Sequence, residues 1–157
     1  MRLIIILIAF VFSFCQSASV QSPGAIKQEN TGSFTLLDSK YEQSTSGYNG
    51  ARSTDYFFTI KINTGKELRF DSAWIDNRRH AIFISKKTST ITNKPIEIKL
   101  GDTVILRVSD LHSARTNEVV KAPIQYQGKA LIRYTEITNI DYFIVKEMLL
   151  HSGPNLQ

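Results

Sequence analysis

The stretch IEIKLGDTVILRV, residues 96–108, decides the fold class, because apolar side chains stand at even-numbered positions both before and after a turn. Alternation of apolar and polar residues with a period of two is typical of a strand with one buried face. The even-numbered apolar residues are Ile96, Ile98, Leu100, Val104, Leu106 and Val108. The stretch therefore predicts two strands joined at Gly101-Asp102.

The turn at Gly101-Asp102 determines how these two strands are related. In a two-residue hairpin Leu100 would pair with Thr103, and because cross-strand partners share a face, the two apolar rows would lie on opposite faces of one sheet. Two arrangements avoid this conflict: an odd loop with a bulge, or an arch that takes the chain from one sheet to another. We expect the arch, with both rows pointing into a shared core. It predicts a two-sheet antiparallel β-sandwich.

Further strand signals support this architecture. Residues 55–62 alternate most regularly, with Phe57 as the exception on the polar face, and Leu68, Phe70 and Trp74 share a face in the next strand. The predicted strands are 34–37, 55–62, 68–75, 80–85, 129–135 and 141–150, with turns at 63–66 and 76–77 that predict two successive hairpins. About seven or eight strands in all are typical of an immunoglobulin-like sandwich.

The N-terminal residues predict export. Leu3–Phe14 is an apolar run directly after Arg2, of signal-peptide length, whereas a membrane-spanning helix needs roughly 20 apolar residues. Small residues follow, as signal peptidase requires; the candidate cleavage pairs are Ser17/Ser19 and Ser13/Cys15. We expect a cleavable signal peptide at residues 1–19 and a mature chain with no transmembrane helix.

Cys15 leaves an alternative open, because a cysteine straight after an apolar run can carry the lipid of a bacterial lipoprotein. Lipoprotein processing prefers a small residue before that cysteine, and Phe14 is large. We therefore expect a secreted or periplasmic protein, with lipid anchoring through Cys15 as the alternative. Because Cys15 is the single cysteine, no disulfide can form within the chain.

The rest of the chain predicts one domain. Residues 20–33 are polar and contain Pro23 and two glycines, which is typical of a flexible spacer. The β-sandwich is expected at 34–151, and residues 152–157 form a tail.

Composition narrows the class of partner. The chain is 42% hydrophobic and 21% charged, as in soluble globular domains, and its formal net charge is +5. The basic residues are scattered, and no nucleic-acid-binding motif is present, so we expect no nucleic acid as a partner. The partners we expect are an envelope protein or an anionic glycan.

The search for catalytic chemistry finds little. His80, His112 and His151 are far apart and lack a second ligand at metal-binding spacing, so neither a metal site nor a cofactor is predicted. Ser109 and Asp110 come just before His112, but the members of a catalytic triad converge from separate elements. No catalytic residue is therefore predicted.

Two loops are the predicted binding surfaces. Loop 44–53 combines side chains that stack on and hydrogen-bond to a sugar or a peptide, and loop 111–128 is long for a connection within a compact domain. The predicted binding residues are Tyr48, Asn49, Arg52, His112 and Arg115. A structural alternative is that residues 119–126 form a short edge strand.

Two stretches carry a resemblance to known proteins. Residues 41–62, with Gly47 and Gly50 before Tyr56-Phe57-Phe58, and the later FDSAWI at 70–75, resemble small uncharacterised exported β-rich proteins of Bacteroidetes. The resemblance implies export and transfers no activity.

The functional expectation is a non-catalytic exported module that binds a protein, a glycan or an envelope surface. The alternative is a hydrolase whose composite site gathers histidines and carboxylates from the loops. A cleft with converging His and carboxylate groups would favour the hydrolase, and flat loops would favour the module.

Overall fold

The computed structural model describes residues 26–28, 31–45, 52–86, 96–110 and 120–151. The predicted signal peptide, Cys15 and the predicted tail lie outside these residues. The strands are β1 (Ile26–Gln28), β2 (Phe34–Thr45), β3 (Arg52–Ile62), β4 (Leu68–Ile75), β5 (Arg78–Ala81), β6 (Phe83–Lys86), β7 (Thr103–Ser109), β8 (Ala130–Glu136), β9 (Asn139–Val145) and β10 (Leu149–Leu150). In this part of the chain, no helix has the length and apolar character needed to cross a bilayer.

The strands form two five-stranded sheets. The first sheet has the order β1-β9-β8-β4-β5 and the second has the order β10-β2-β3-β7-β6. All pairs are antiparallel except the short outer strands, since β1 pairs parallel to β9 and β10 pairs parallel to β2. Without β1 and β10, four strands face four strands in the order of an immunoglobulin-like sandwich. The predicted fold class is confirmed.

One hydrophobic core fills the space between the sheets. Phe34 of the second sheet packs edge to face on three aromatic rings of the first sheet, with centroid distances of 5.3 Å to Phe70, 4.9 Å to Tyr134 and 5.3 Å to Phe143. Edge-to-face pairs contribute about 0.5–1.5 kcal/mol each beyond the area that they bury. All four side chains are buried, so this cluster joins the two sheets within the core.

The predicted arch at Gly101-Asp102 is wrong, although the two sheets that it implied are confirmed. Residues 96–99 form no strand, and Leu100 is 64% exposed. Gly101 has a φ of 85° and donates its N–H to the carbonyl of Ile62, and the Ile62 N–H donates to the carbonyl of Asp102, both at 2.9 Å. The turn therefore extends the pairing of β3 with β7 within one sheet. Ile98 packs against the core from outside any strand, and the fully buried row begins after the turn, with Val104, Leu106 and Val108.

The chain changes sheets at other places. Residues 63–67 lead from β3 in the second sheet to β4 in the first, so the first predicted hairpin is wrong, while the β4–β5 hairpin is confirmed. The predicted strand 80–85 is interrupted at Ile82, where the chain passes from the first sheet to the second. The predicted strand 141–150 likewise divides into β9 and β10, one in each sheet.

A bulge in β4 changes which side chains face the core. Phe70 pairs with Tyr134 of β8, but the register shifts before Ser72, so Asp71 has no partner in this pairing. The extra residue reverses the alternation: Phe70 lies in the core, whereas Trp74 points to the outer side of the sheet. The prediction that Trp74 shares a face with Phe70 is therefore wrong.

Part of the predicted spacer belongs to the fold. Strand β1, within 20–33, completes the edge of the first sheet beside β9. The Thr31 side chain accepts hydrogen bonds from the N–H groups of Ser33 and Phe34, at 3.3 and 3.0 Å, and forms a buried turn before β2. The fold thus begins earlier than Phe34, because this turn and the β9 edge use these residues.

Candidate binding surfaces

Of the predicted binding residues, the described part of the chain contains Arg52. It is exposed, begins β3 and pairs with Thr45 at the end of β2. The others, Tyr48, Asn49, His112 and Arg115, lie outside the described residues. The structure therefore places the stems of the two predicted loops and leaves their tips as predictions.

The stems of these two loops meet at one end of the sandwich, which we call the loop end. Asp55 of β3 pairs with Ser109 of β7. The N–H of Thr54 donates to Oδ1 of Asp110 at 2.8 Å, which ties the base of the first loop to the start of the second. The two stretches that the sequence singled out are therefore neighbours in space.

The loop end also contains perturbed titratable groups. Burial raises the pKa of Tyr56, and the carboxylates of Asp76 and Asp110 raise it further. Burial lowers the pKa of His80, which is only 6% exposed and whose Nδ1 has no hydrogen-bond partner. A histidine this deeply buried, near the end of β5, does not face a substrate. Within the described ranges, no three His, Cys, Asp or Glu side chains are placed to hold a metal ion.

The outer face of the first sheet is covered by the protein itself. Segment 120–127 lies over it and packs Ile124 and Tyr126 on the buried side chains of Trp74, Leu131, Tyr142 and Ile144. Trp74 donates its indole N–H to the carbonyl of Val120, and the Tyr126 hydroxyl donates to the carbonyl of Trp74, both at 3.1 Å. This half of the second predicted loop is structural, although it forms no edge strand.

The outer face of the second sheet carries a row of large side chains. Five consecutive cross-strand partners run across all five strands, and we call them the cation–aromatic row: Leu149, Lys40, Phe57, Arg107 and Phe83. Lys40 Nζ is 5.6 Å and Arg107 Cζ is 5.9 Å from the centroid of the Phe57 ring, which are cation–π distances. Leu149 is 68% and Phe83 is 48% exposed.

The end of the sandwich opposite the loop end is the third candidate, and we call it the apex. It consists of residues 63–67, 100–102 and 136–138. Ile137 has a φ of 58° and is 61% exposed. A β-branched residue in the left-handed region is a genuine outlier, and two-residue hairpin turns favour Gly, Asn or Asp at such positions.

The apex holds Ile137 in place through several contacts. The Ile137 N–H donates to the carbonyl of Glu67 at 3.0 Å, which fastens the hairpin tip to the link between the sheets. The neighbouring Glu136 accepts a 2.7 Å hydrogen bond from the Ser33 hydroxyl and lies 3.5 Å from Lys66 Nζ. Sequence reasoning missed Ile137, since the only signal was the short gap between two predicted strands.

A shallow depression of about 250 Å³ lies at the bulge of β2. Its lining residues are Leu36, Leu37, Asp38, Ser39, Glu147 and Leu149. It is smaller than typical small-molecule sites, which occupy roughly 300–1,000 Å³.

Comparisons with protein-family models, with curated proteins and with solved structures found no match for this chain. Its function therefore has to be inferred from the geometry of the described residues.

Proposed function

We propose that this chain is an exported, non-catalytic binding module of the cell envelope, and that it recognises a partner protein through the apex. The observation that carries the proposal is Ile137, an aliphatic side chain held in a left-handed backbone conformation and largely exposed to solvent.

Neither property of Ile137 helps the isolated domain. A left-handed conformation costs an L-residue roughly 1–2 kcal/mol, and exposed aliphatic surface contributes no burial energy. Such outliers concentrate at functional sites, where the surrounding structure holds the strained residue in place. Leu100, 64% exposed on the adjacent turn, supplies a second aliphatic side chain at the same end of the sandwich.

The apex is organised before binding. The contact of Ile137 with Glu67 and those of Glu136 with Ser33 and Lys66 join three separate segments of the chain. A hairpin tip restrained in this way loses less conformational entropy on association than a free loop. The aliphatic side chains of Ile137 and Leu100 fit an apolar cavity of a protein better than they fit a glycan. We therefore expect the partner to be a protein.

The export half of the proposal rests on the apolar segment Leu3–Phe14 and on the resemblance to exported Bacteroidetes proteins. Of the two partners expected from the sequence, the aliphatic apex favours an envelope protein over an anionic glycan.

Capture from a native envelope extract tests the proposal. The mature chain and its Ile137→Gly variant are each immobilised, cross-linked in the extract and compared for the proteins they retain. We expect Ile137→Gly to fold with unchanged or higher stability, by up to about 1 kcal/mol, because glycine relieves the strain. The same variant should lose the captured protein.

Two further variants make the result specific. Ile137→Val keeps the β-branched side chain and should retain capture, while Arg52→Ala at the loop end should have no effect. Undiminished capture by Ile137→Gly would overturn the proposal, and loss with Arg52→Ala alone would assign binding to the loop end.

A further inference from the structure

The two outer faces of the sandwich differ in how far other segments of the chain cover them. The first sheet is covered by segment 120–127, which buries Trp74 and its neighbours. The second sheet presents the cation–aromatic row to solvent, together with the half-buried Ile105 in the adjacent row. The apolar groups of this second face therefore remain available to a further surface.

Charges on the second face are arranged in rows across the strands. One step along the strands from the cation–aromatic row lies an acidic row, Glu42 and Asp55, which are register partners. Lys40 Nζ is 3.4 Å from Glu42, and Arg107 is 2.9 Å from Asp55, so each cation is paired with a carboxylate of the neighbouring row.

The face as a whole is electrically balanced. Apart from His151, whose Nε2 lies 4.0 Å from Glu42, its charged residues are the carboxylates Asp38, Glu42 and Asp55 and the cations Lys40, Lys61 and Arg107. An anionic glycan, a lipid headgroup or a nucleic acid is attracted by a net positive surface, and this face has none, although the chain carries +5. Alternating rows of opposite sign fit a surface with the same alternation.

We infer that the outer face of the second sheet binds a second copy of this chain, forming a twofold homodimer. The twofold axis lies in the plane of the contact, perpendicular to the strands and midway between the cation–aromatic row and the acidic row. Rotation about it places the cation–aromatic row of each copy over the acidic row of the other. Lys40 then faces Glu42 of the second copy, and the relation holds in both directions, as an isologous interface requires.

The dimensions of the face set the strength of the dimer. Neighbouring strands are about 4.8 Å apart, so five strands span roughly 19 Å. A face of this width gives a contact at the small end of the range for specific interfaces. The dimer is therefore weak and forms in a concentration-dependent manner.

Sedimentation equilibrium of the mature chain over a range of concentrations, with two charge reversals, tests this inference. Lys40→Glu and Glu42→Lys each place like charges opposite one another, and each is expected to weaken dimerisation about tenfold or more. An equimolar mixture of the two variants restores opposite charges at both contacts. It should form heterodimers about as tightly as the wild type.

Asp71→Lys is the matched control, since Asp71 is an exposed carboxylate paired with Arg133 on the first sheet, away from this face. It should leave the association constant unchanged, and circular dichroism should show that all variants are folded. A wild-type chain that stays monomeric throughout would overturn the inference. So would a dimer that ignores both reversals, or a mixture that fails to restore association.

Discussion

Gly128 occupies a position where the chain approaches β9 very closely. A Cβ at this residue would lie 2.6 Å from Cγ2 of Ile144 and 2.7 Å from the carbonyl oxygen of Val145. The next residue, Lys129, donates its N–H to that same carbonyl at 2.8 Å, so the backbone cannot move away without losing a hydrogen bond. Glycine is required here by space and not by backbone conformation.

Gly128→Ala should therefore lower the free energy of unfolding by roughly 1–3 kcal/mol, the usual cost of overpacking. Urea denaturation followed by tryptophan fluorescence measures the change, because Trp74 lies in the neighbouring cluster. Gly65→Ala is the matched control, because a Cβ added at this residue would meet no atom within 4 Å beyond its chain neighbours. The substitution should change stability by less than about 0.5 kcal/mol. Equal stability of the two variants would contradict the close approach.

His80 makes the stability of the fold depend on pH. Folding lowers its pKa from the ordinary value of 6.5, so the unfolded chain takes up the proton first as the pH falls. The free energy of unfolding therefore decreases as the pH falls through 6.5 and stops decreasing, for this group, below the folded-state pKa.

His80→Gln should flatten this part of the profile. Urea midpoints should be measured between a pH above 7 and about pH 5. Few carboxylates titrate in this range, so the change reports the histidine contribution. His151→Gln, at an exposed histidine, controls for the removal of an imidazole. Parallel profiles for the wild type and His80→Gln would show that the buried imidazole is not responsible.

At the scale of elements, the bulge in β4 has the largest consequence. The extra residue of the bulge, Asp71, turns Trp74 away from the inter-sheet core and toward segment 120–127. That segment has no strand pairing of its own and is attached through apolar contacts and two hydrogen bonds. The Trp74 indole N–H donates to the carbonyl of Val120, and the Tyr126 hydroxyl donates to the carbonyl of Trp74. Trp74 thus anchors a covering segment.

Trp74→Phe should loosen this segment more than it affects the sandwich. It removes the indole N–H bond to Val120, worth about 0.5–1.5 kcal/mol, and keeps an aromatic ring. Hydrogen exchange should accelerate at amides of 120–127 and change little in β7. Tyr126→Phe, which removes the other bond, should give the same pattern, and unchanged exchange in both variants would refute the anchoring role.

The sequence predicts elements well where alternation is uninterrupted. Val104, Leu106 and Val108 follow a strict period of two and lie in the core as expected. Asp76 and Asn77 adopt φ values of 49° and 61°, as expected for a tight hairpin turn made of residues that tolerate this conformation. The bulge at Asp71 and the sheet change at Ile82 carry no such signal, because neither uses Gly or Pro.

The turn at Ile137 was missed for the same reason. Ile137 has a high strand propensity, so its presence in a two-residue turn contradicts local preference, and only the pairing of Glu136 with Asn139 reveals it. Conflicts between local preference and structure are expected at functional positions. The proposed binding residue is thus the one that sequence reasoning was least able to find.

At the scale of the whole molecule, we expect the predicted signal peptide to be cleaved. The mature N-terminus should begin after Ser19 or after Cys15, since both cleavage pairs place small residues at the required positions. Mass spectrometry of the protein isolated from its native envelope measures this directly. A diacylated Cys15 would replace the secreted form with an anchored one, and an uncleaved N-terminus would refute export through a signal peptide.

Binding through the apex is tested most directly by hydrogen exchange of the mature chain, free and in complex with the protein captured from the envelope extract. Protection on binding is predicted at the amides of 63–67 and 136–139, around Ile137, with the stems of the loop end unchanged. Protection confined to Arg52–Asp55 and Ser109-Asp110, with the apex exchanging as in the free chain, would contradict the proposed binding surface.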